Sequence, residues 1–423
     1  MAVPAKTRRV GIPTAIVLCC AVATSALALV ASRAAAQTTT PPTQAVIDQV
    51  QLGDVTSNQT LHVTDYPTGA SVSNVTVANS ALASADAAAV NYQATQQQSG
   101  DSHAVTNLAF DKSAGTQLYV QTAATGNTGT AGTCCAALTG SSSQTIDAGK
   151  TVTAETYVHV DGPASTGTVS LDSTAIGNTQ GWETNGGSVA AASTQTHYGE
   201  TYAALGATVA AVDGAASYSA TAVGNNVTSD ATNAPVSLTV SQDADGFRTR
   251  AGMDVVQTSG SDVTAVSTAT ANNINVTADS HAATLNSDQY NTGPVQTQVE
   301  LTVNDWTGAA TGSSYSVANS SIVSNAGPST NANGVQTNTG DVAALTNFTG
   351  GNGGDSTMLS TAAGNAYSAY ACADCNGVVN GSVRQTNSGG VSSTTSTTVA
   401  GGGYISASSS AVGNTATFQV HKP

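Results

Sequence analysis

Residues 295–303 read Val295-Gln296-Thr297-Gln298-Val299-Glu300-Leu301-Thr302-Val303. Val295, Thr297, Val299, Leu301 and Val303 fall on one side and polar residues on the other, which is the two-residue period of a half-buried strand. The stretch ends at Asn304-Asp305-Trp306-Thr307-Gly308, a turn signal. Similar signals stand at Asp65-Tyr66-Pro67-Thr68-Gly69, Asp161-Gly162-Pro163 and Asp213-Gly214. Turns of this kind come about every 12 residues, separated by segments rich in Val and Thr, and no helical period interrupts them.

The turns belong to a repeat. An Asn preceded by small or β-branched residues recurs at Asn79, Asn127, Asn178, Asn225, Asn272, Asn319, Asn365 and Asn414, at spacings of 46 to 51 residues. Glycines at Gly53, Gly100, Gly149, Gly199, Gly246, Gly293, Gly340 and Gly389 keep the same phase, at spacings of 47 to 50. A longer period relates residues 96–101 (QQQSGD) to residues 336–341 (QTNTGD), 240 residues on. Such periodicity marks a chain whose units bury their faces by stacking on one another. The fold class is therefore all-β, a repetitive β-solenoid of about 48-residue units. Each unit is expected to supply two coils of about 24 residues. At about 4.8 Å per coil, some 16 coils would make a rod of roughly 75 Å. An antiparallel meander, in a sandwich or barrel, is the alternative.

Composition agrees with stacking. The 423 residues are 8% charged and 4% aromatic, with 4 Phe and 2 Trp, too few large residues for an ordinary globular core. Disorder fits poorly, because 40% of the chain is apolar. Lys and Arg number 10 against 25 Asp and Glu, a net charge of −15. That balance argues against nucleic acid, which needs clustered basic residues.

The first 36 residues read as a secretory signal peptide: Lys6, Arg8 and Arg9, an apolar run from Val10 to Val30, and a cleavage site after Ala34-Ala35-Ala36. Residues 37–52 read as a lead-in and cap, and residues 53–423 as the repeat domain. Export places the remaining cysteines in an oxidising compartment. Cys372 and Cys375 are expected to close a structural disulfide at a corner, while the adjacent Cys134 and Cys135 are open to either state.

Candidate chemistry is sparse. Gly350-Gly351-Asn352-Gly353-Gly354-Asp355 matches one copy of a calcium β-roll pattern, which needs tandem copies, so a Gly-rich corner is the better reading. Asp243-Ala244-Asp245-Gly246 lacks the later ligands of a calcium loop. The histidines show no metal-ligand spacing. Neither a metal nor a cofactor is expected. Parallel β-helices often act on acidic polysaccharides, so an enzyme is the alternative class. Arg248 and Arg250 point to one side of a strand near Asp243 and Asp245, the one place for a carbohydrate contact; solvated edge charges are the plainer explanation.

A signal peptide followed by an acidic, Ala/Ser/Thr/Gly/Asn-rich β-repeat body resembles the holdfast-anchoring protein D family of stalked bacteria. The resemblance spans most of the chain and rests on texture, so it transfers no functional residue. It implies an outer-membrane-associated protein at the cell pole or stalk tip. There it would help fix a polysaccharide holdfast to the envelope, with a curlin-like protein and a curli-secretion-like lipoprotein as partners. The expectation is a non-enzymatic, exported surface protein that holds extracellular polysaccharide through many weak contacts. A homo-oligomer or self-assembling matrix is left open.

Overall fold

The structure is a computed structural model that describes residues 42–64, 68–162, 166–245, 248–372 and 377–421. The signal peptide, Gly246 and Cys375 lie outside them. Within the unit Pro41–Pro423 the described chain is strand and corner, wound into a right-through parallel stack. In one coil, Ala137–Ile146 forms face A, Thr151–Val160 face B and Thr168–Asn185 face C. The next coil repeats this with Ser188–His197, Glu200–Ala211 and Ala216–Thr232. All the pairings are parallel, and partners such as Asn178, Asn225 and Asn272 lie 47 residues apart.

One repeat unit is thus one coil, not two. Face A holds eight strands, so the stack has eight coils and a length of about 38 Å at about 4.8 Å per coil, half the expected rod. Turn signals count corners, but not which corner returns the chain to its starting face. Here two corners fall inside each coil. Thr43–Gln51, within the segment read as lead-in and cap, is the first strand of face A and pairs with Val90–Gln98.

A three-strand coil can be this long because it encloses two cores. Along Thr168–Asn185 the inward residues are Val169, Leu171, Ser173 and Ala175, then Asn178, Gln180, Trp182 and Thr184. The alternation changes phase at Gly177-Asn178, so the two halves of face C serve different interiors. The first half packs against face B, joining Leu171 and Tyr218 to Val158 and Leu205. The second half packs against face A, joining Trp182 and Ile274 to Tyr92, Leu138 and Leu238. Tyr92 meets Trp182 edge-on, with centroids 5.6 Å apart.

Between the cores runs a polar seam of two amide ladders. Each Asn marker except the last donates from Nδ2 to the Oδ1 of the next coil's Asn, at 2.7–2.9 Å from Asn79 through to Asn414. The other Nδ2 hydrogen goes across to a face A carbonyl, as from Asn178 to Thr196 and from Asn272 to Tyr290. Opposite it, Gln49, Gln96, Gln144, Gln195, Gln242, Gln289, Gln336 and Gln385 form the second ladder. Each except Gln49 donates from Nε2 to the Oε1 of the coil before, at 2.7–2.8 Å. The backbone carbonyls fix which end of each amide carries hydrogen, so the two ladders run in opposite directions.

The other repeated residues have equally local causes. A Cβ on Gly100, Gly340 or Gly389 would overlap the carbonyl of the stacked glycine one coil earlier, so these corners touch through bare backbone. Corner aspartates accept backbone N–H groups from the next coil: Asp54 from Asp101, Asp101 from Thr151, and Asp341 from Gly390, at 2.8–2.9 Å.

Two tests follow. Asn272→Ala strips a buried rung and leaves an Asn225 amide hydrogen and the Asn319 Oδ1 unpaired. At about 1–3 kcal/mol per orphaned group, denaturant unfolding should show a loss of about 2–5 kcal/mol. His197, buried and hydrogen-bonded to Thr201 at 2.9 Å, has its pKa pushed from 6.5 down to about 4 by burial. The unfolded chain takes up a proton that the folded chain refuses. This contribution to stability is therefore whole above pH 6.5 and lost as pH falls towards 4, up to about 3 kcal/mol. His197→Ile, which copies Ile146 one coil earlier, should flatten that part of the stability–pH profile.

Candidate functional site

Face B presents its outward side to solvent, and there the stacked register gathers residues that lie far apart in sequence. Tyr202 stands beside Arg250, Tyr157 beside Gly206, and Asp254 beside Glu300, each pair on adjacent coils. Ala204 and Gly252 share a further row with Gln298. The small residues form the floor of a shallow trough of about 720 Å³, bordered by Tyr157, Tyr202, Arg250, Asp254 and Glu300. Gly252 has open space where a Cβ would stand, and the Tyr157 ring leans over Gly206.

The border is wired together. The Arg250 guanidinium lies 5.6 Å from the Tyr202 ring centroid, within cation–π range. Its Nη2 reaches Gln298 Oε1 at 3.4 Å, and Gln298 Nε2 donates to Glu300 Oε1 at 2.6 Å. Burial, then the charges of Glu155 and Tyr202, push the Tyr157 hydroxyl above its ordinary pKa, so it is a neutral donor at physiological pH. An open trough with two phenol rings, a cation and carboxylates matches a sugar, whose C–H face rests on aromatic rings while its hydroxyls find polar partners.

Arg248 points outward from the same strand, but its Nε is engaged 2.6 Å from Glu200 Oε1, at the corner rather than in the trough. Such surface pairs add about 0–1 kcal/mol. Asp243 and Asp245 sit with Asp288, and burial followed by their charges raises the Asp243 pKa.

The family described as holdfast attachment protein D matches residues 64–341, about two-thirds of the sequence. The chain belongs to the holdfast attachment protein D family. No curated protein and no solved structure matches it. Membership implies a role in holdfast attachment, at the cell surface or envelope. The matched residues include most of the trough, with its Tyr157, Tyr202 and Arg250, and most of both ladders.

The remaining sequence candidates find structural uses in this family member. Gly350 and Gly353 lie against Trp306 of the preceding coil, where a Cβ would overlap the indole ring. Asp355 accepts from the Tyr404 N–H at 2.8 Å, and its carbonyl takes the Trp306 indole hydrogen at 3.2 Å. Among the described residues no cluster of His, Cys, Asp and Glu could hold a metal. Cys372 is disulfide-bonded, whereas Cys134 and Cys135 are free thiols with sulfurs 2.7 Å apart. Five coils, about 24 Å, separate Cys134 from Cys372, half the distance expected from 24-residue coils. The sequence reading passed over Tyr157, Tyr202 and the Gln ladder. The glutamines recur at 47 to 51 residues and so were visible; the tyrosines become neighbours only when one unit makes one coil.

The Gly-rich run gives a direct check. EDTA should leave the thermal midpoint unchanged, and Gly353→Ala should lower it through collision with Trp306, with or without calcium.

Proposed function

We propose that the chain is an exported, non-enzymatic scaffold that grips the holdfast polysaccharide on face B and ties it to the envelope. The trough carries this reading: it is open, lined by Tyr157 and Tyr202, and its one cation, Arg250, is held in place by Tyr202 and Gln298. Arg250 is the direct sugar contact, and Arg248 supports the neighbouring corner. The leader at residues 1–36 directs export, and the Cys372–Cys375 bridge pins a corner of the seventh coil. The envelope partners are the curlin-like protein and the curli-secretion-like lipoprotein implied by the resemblance, and the site of action is the outer surface at the pole or stalk tip.

A shallow site of this kind holds each sugar weakly, and strength comes from many chain segments engaging many copies at once. Rigid stacking matters here because the rings and the guanidinium keep their spacing without ordering cost on binding.

Purified protein should bind isolated holdfast polysaccharide in a surface-plasmon or pull-down assay. Tyr202→Ala, Arg250→Ala and Gly252→Trp should each weaken that binding about tenfold, as loss of an aromatic or charged anchor does. Arg248→Ala should leave it nearly unchanged. Cells lacking the gene should shed holdfast into the medium. Retained adhesion in those cells, or turnover of the glycan by pure protein, would overturn the reading.

A further inference from the structure

The two amide ladders end differently at the two ends of the stack. At the first coil, both Asn79 Nδ2 hydrogens are used, on Gln97 O and Asn127 Oδ1, which leaves its Oδ1 as an acceptor facing outward along the axis. Gln49 accepts from Gln96 and gives one hydrogen to Ser80 O, which leaves one Nε2 hydrogen as a donor. At the last coil the roles are reversed. Asn414 has accepted from Asn365 and keeps its amide hydrogens, while Gln385 has donated to Gln336 and Thr415 and keeps its Oε1. Last coil and first coil are therefore complementary, donor to acceptor, at both ladders. Only head-to-tail stacking sets Asn on Asn and Gln on Gln with a donor facing an acceptor at both ladders.

The charges agree. Following the register from coil to coil, Arg384 stands in the same row as Val335, Asp288, Ser241, Thr194, Ser143, Thr95 and Asp48. A second copy stacked in register would set Asp48 of its first coil on Arg384 of the last. Both residues are exposed. The shapes agree as well: the first coil's strands run 9, 9 and 17 residues and the last coil's 10, 11 and 17. Both cores stop at half-covered apolar residues, Ile47 and Val63 at one end and Val383 and Val399 at the other. In register, Val383 meets Ile47 and Val399 meets Val63. Phe418, stacked on Tyr367, is left 40% exposed at the last coil. Open sheet edges are ordinarily blunted by Lys, Pro or inward charge. The last coil's strands contain no Pro, Lys, Asp or Glu.

We propose that the chain assembles head to tail, the last coil of one copy on the first coil of the next, continuing both ladders and both cores. The contact is heterologous, so it propagates as an open filament rather than closing as a dimer. Each copy adds about 38 Å to the axis, eight coils at about 4.8 Å. The proposal is independent of the polysaccharide reading, because assembly is measured with protein alone. It would also repeat the face B trough along the filament.

The test is sedimentation velocity of the full chain over a concentration series, with electron microscopy of the assemblies. Association rising with concentration, into straight rods, is expected. Arg384→Asp puts two carboxylates in one row, and Asp48→Arg puts two cations there. Either should raise the concentration needed for assembly about tenfold or more, since apposed like charges are costly. Both positions are exposed, so circular dichroism and the thermal midpoint should match the parent. Mixing the two variants one to one should restore assembly, because each then offers the other an opposite charge at both ends. A chain that stays monomeric at every concentration, or variants that assemble as the parent does and gain nothing from mixing, would overturn the proposal.

Discussion

Amide-to-amide hydrogen bonding between adjacent coils is the constraint on which this molecule rests. A coil of some 47 residues is wide for three strands, and a single apolar interior of that width would need large side chains that the composition lacks. The seam of Asn and Gln divides the width into two narrow cores that Ala, Val, Ser and Thr can fill. Buried amides are costly unless every donor and acceptor is paired. Here pairing is achieved by repetition, since each rung supplies what the next one needs. The opposed donor directions of the two ladders also keep their amide dipoles from adding along the axis.

That device sets the register of everything else. A strand slipped by one residue would exchange inward and outward faces, and the ladders remove that freedom by demanding Asn on Asn and Gln on Gln. Bare glycine corners then stack backbone on backbone, and the corner aspartates cap the next coil's N–H groups. Part of the acidic excess is therefore structural. With the coils locked, outward residues on face B hold fixed distances, and Tyr157, Tyr202 and Arg250 stand as a rigid set from three consecutive coils.

The same logic gives the stack a polarity. A ladder of paired amides has a donor end and an acceptor end, in the way a helix does, and a chain built from such ladders carries unlike surfaces at its two extremities. For a protein whose family serves holdfast attachment, a rigid stack with unlike ends is suited to bearing load along its axis. Parallel strands run across that axis, so pulling is shared by many coil-to-coil hydrogen bonds at once.

How much of this was legible in the sequence depended on whether the signal was local or required closure. The two-residue alternation at residues 295–303, the Asn and Gly markers and their common phase determined an all-β stacked repeat, because strand period and turn chemistry are properties of a few neighbouring residues. The same local text marked the glycine corners such as Gly100 and Gly340, whereas the Asn markers lie inside the long face C strands and not at corners. The number of corners per coil was decided only in three dimensions, since a turn signal does not say on which face the chain emerges. The phase change at Gly177-Asn178, hidden inside one long strand, is what turns a half-unit into half a coil. The candidate site followed that decision. Arg250 stood out as one of few cations, but its partners Tyr202 and Gln298 lie 48 residues away on either side, and only parallel closure at one unit per coil makes them neighbours.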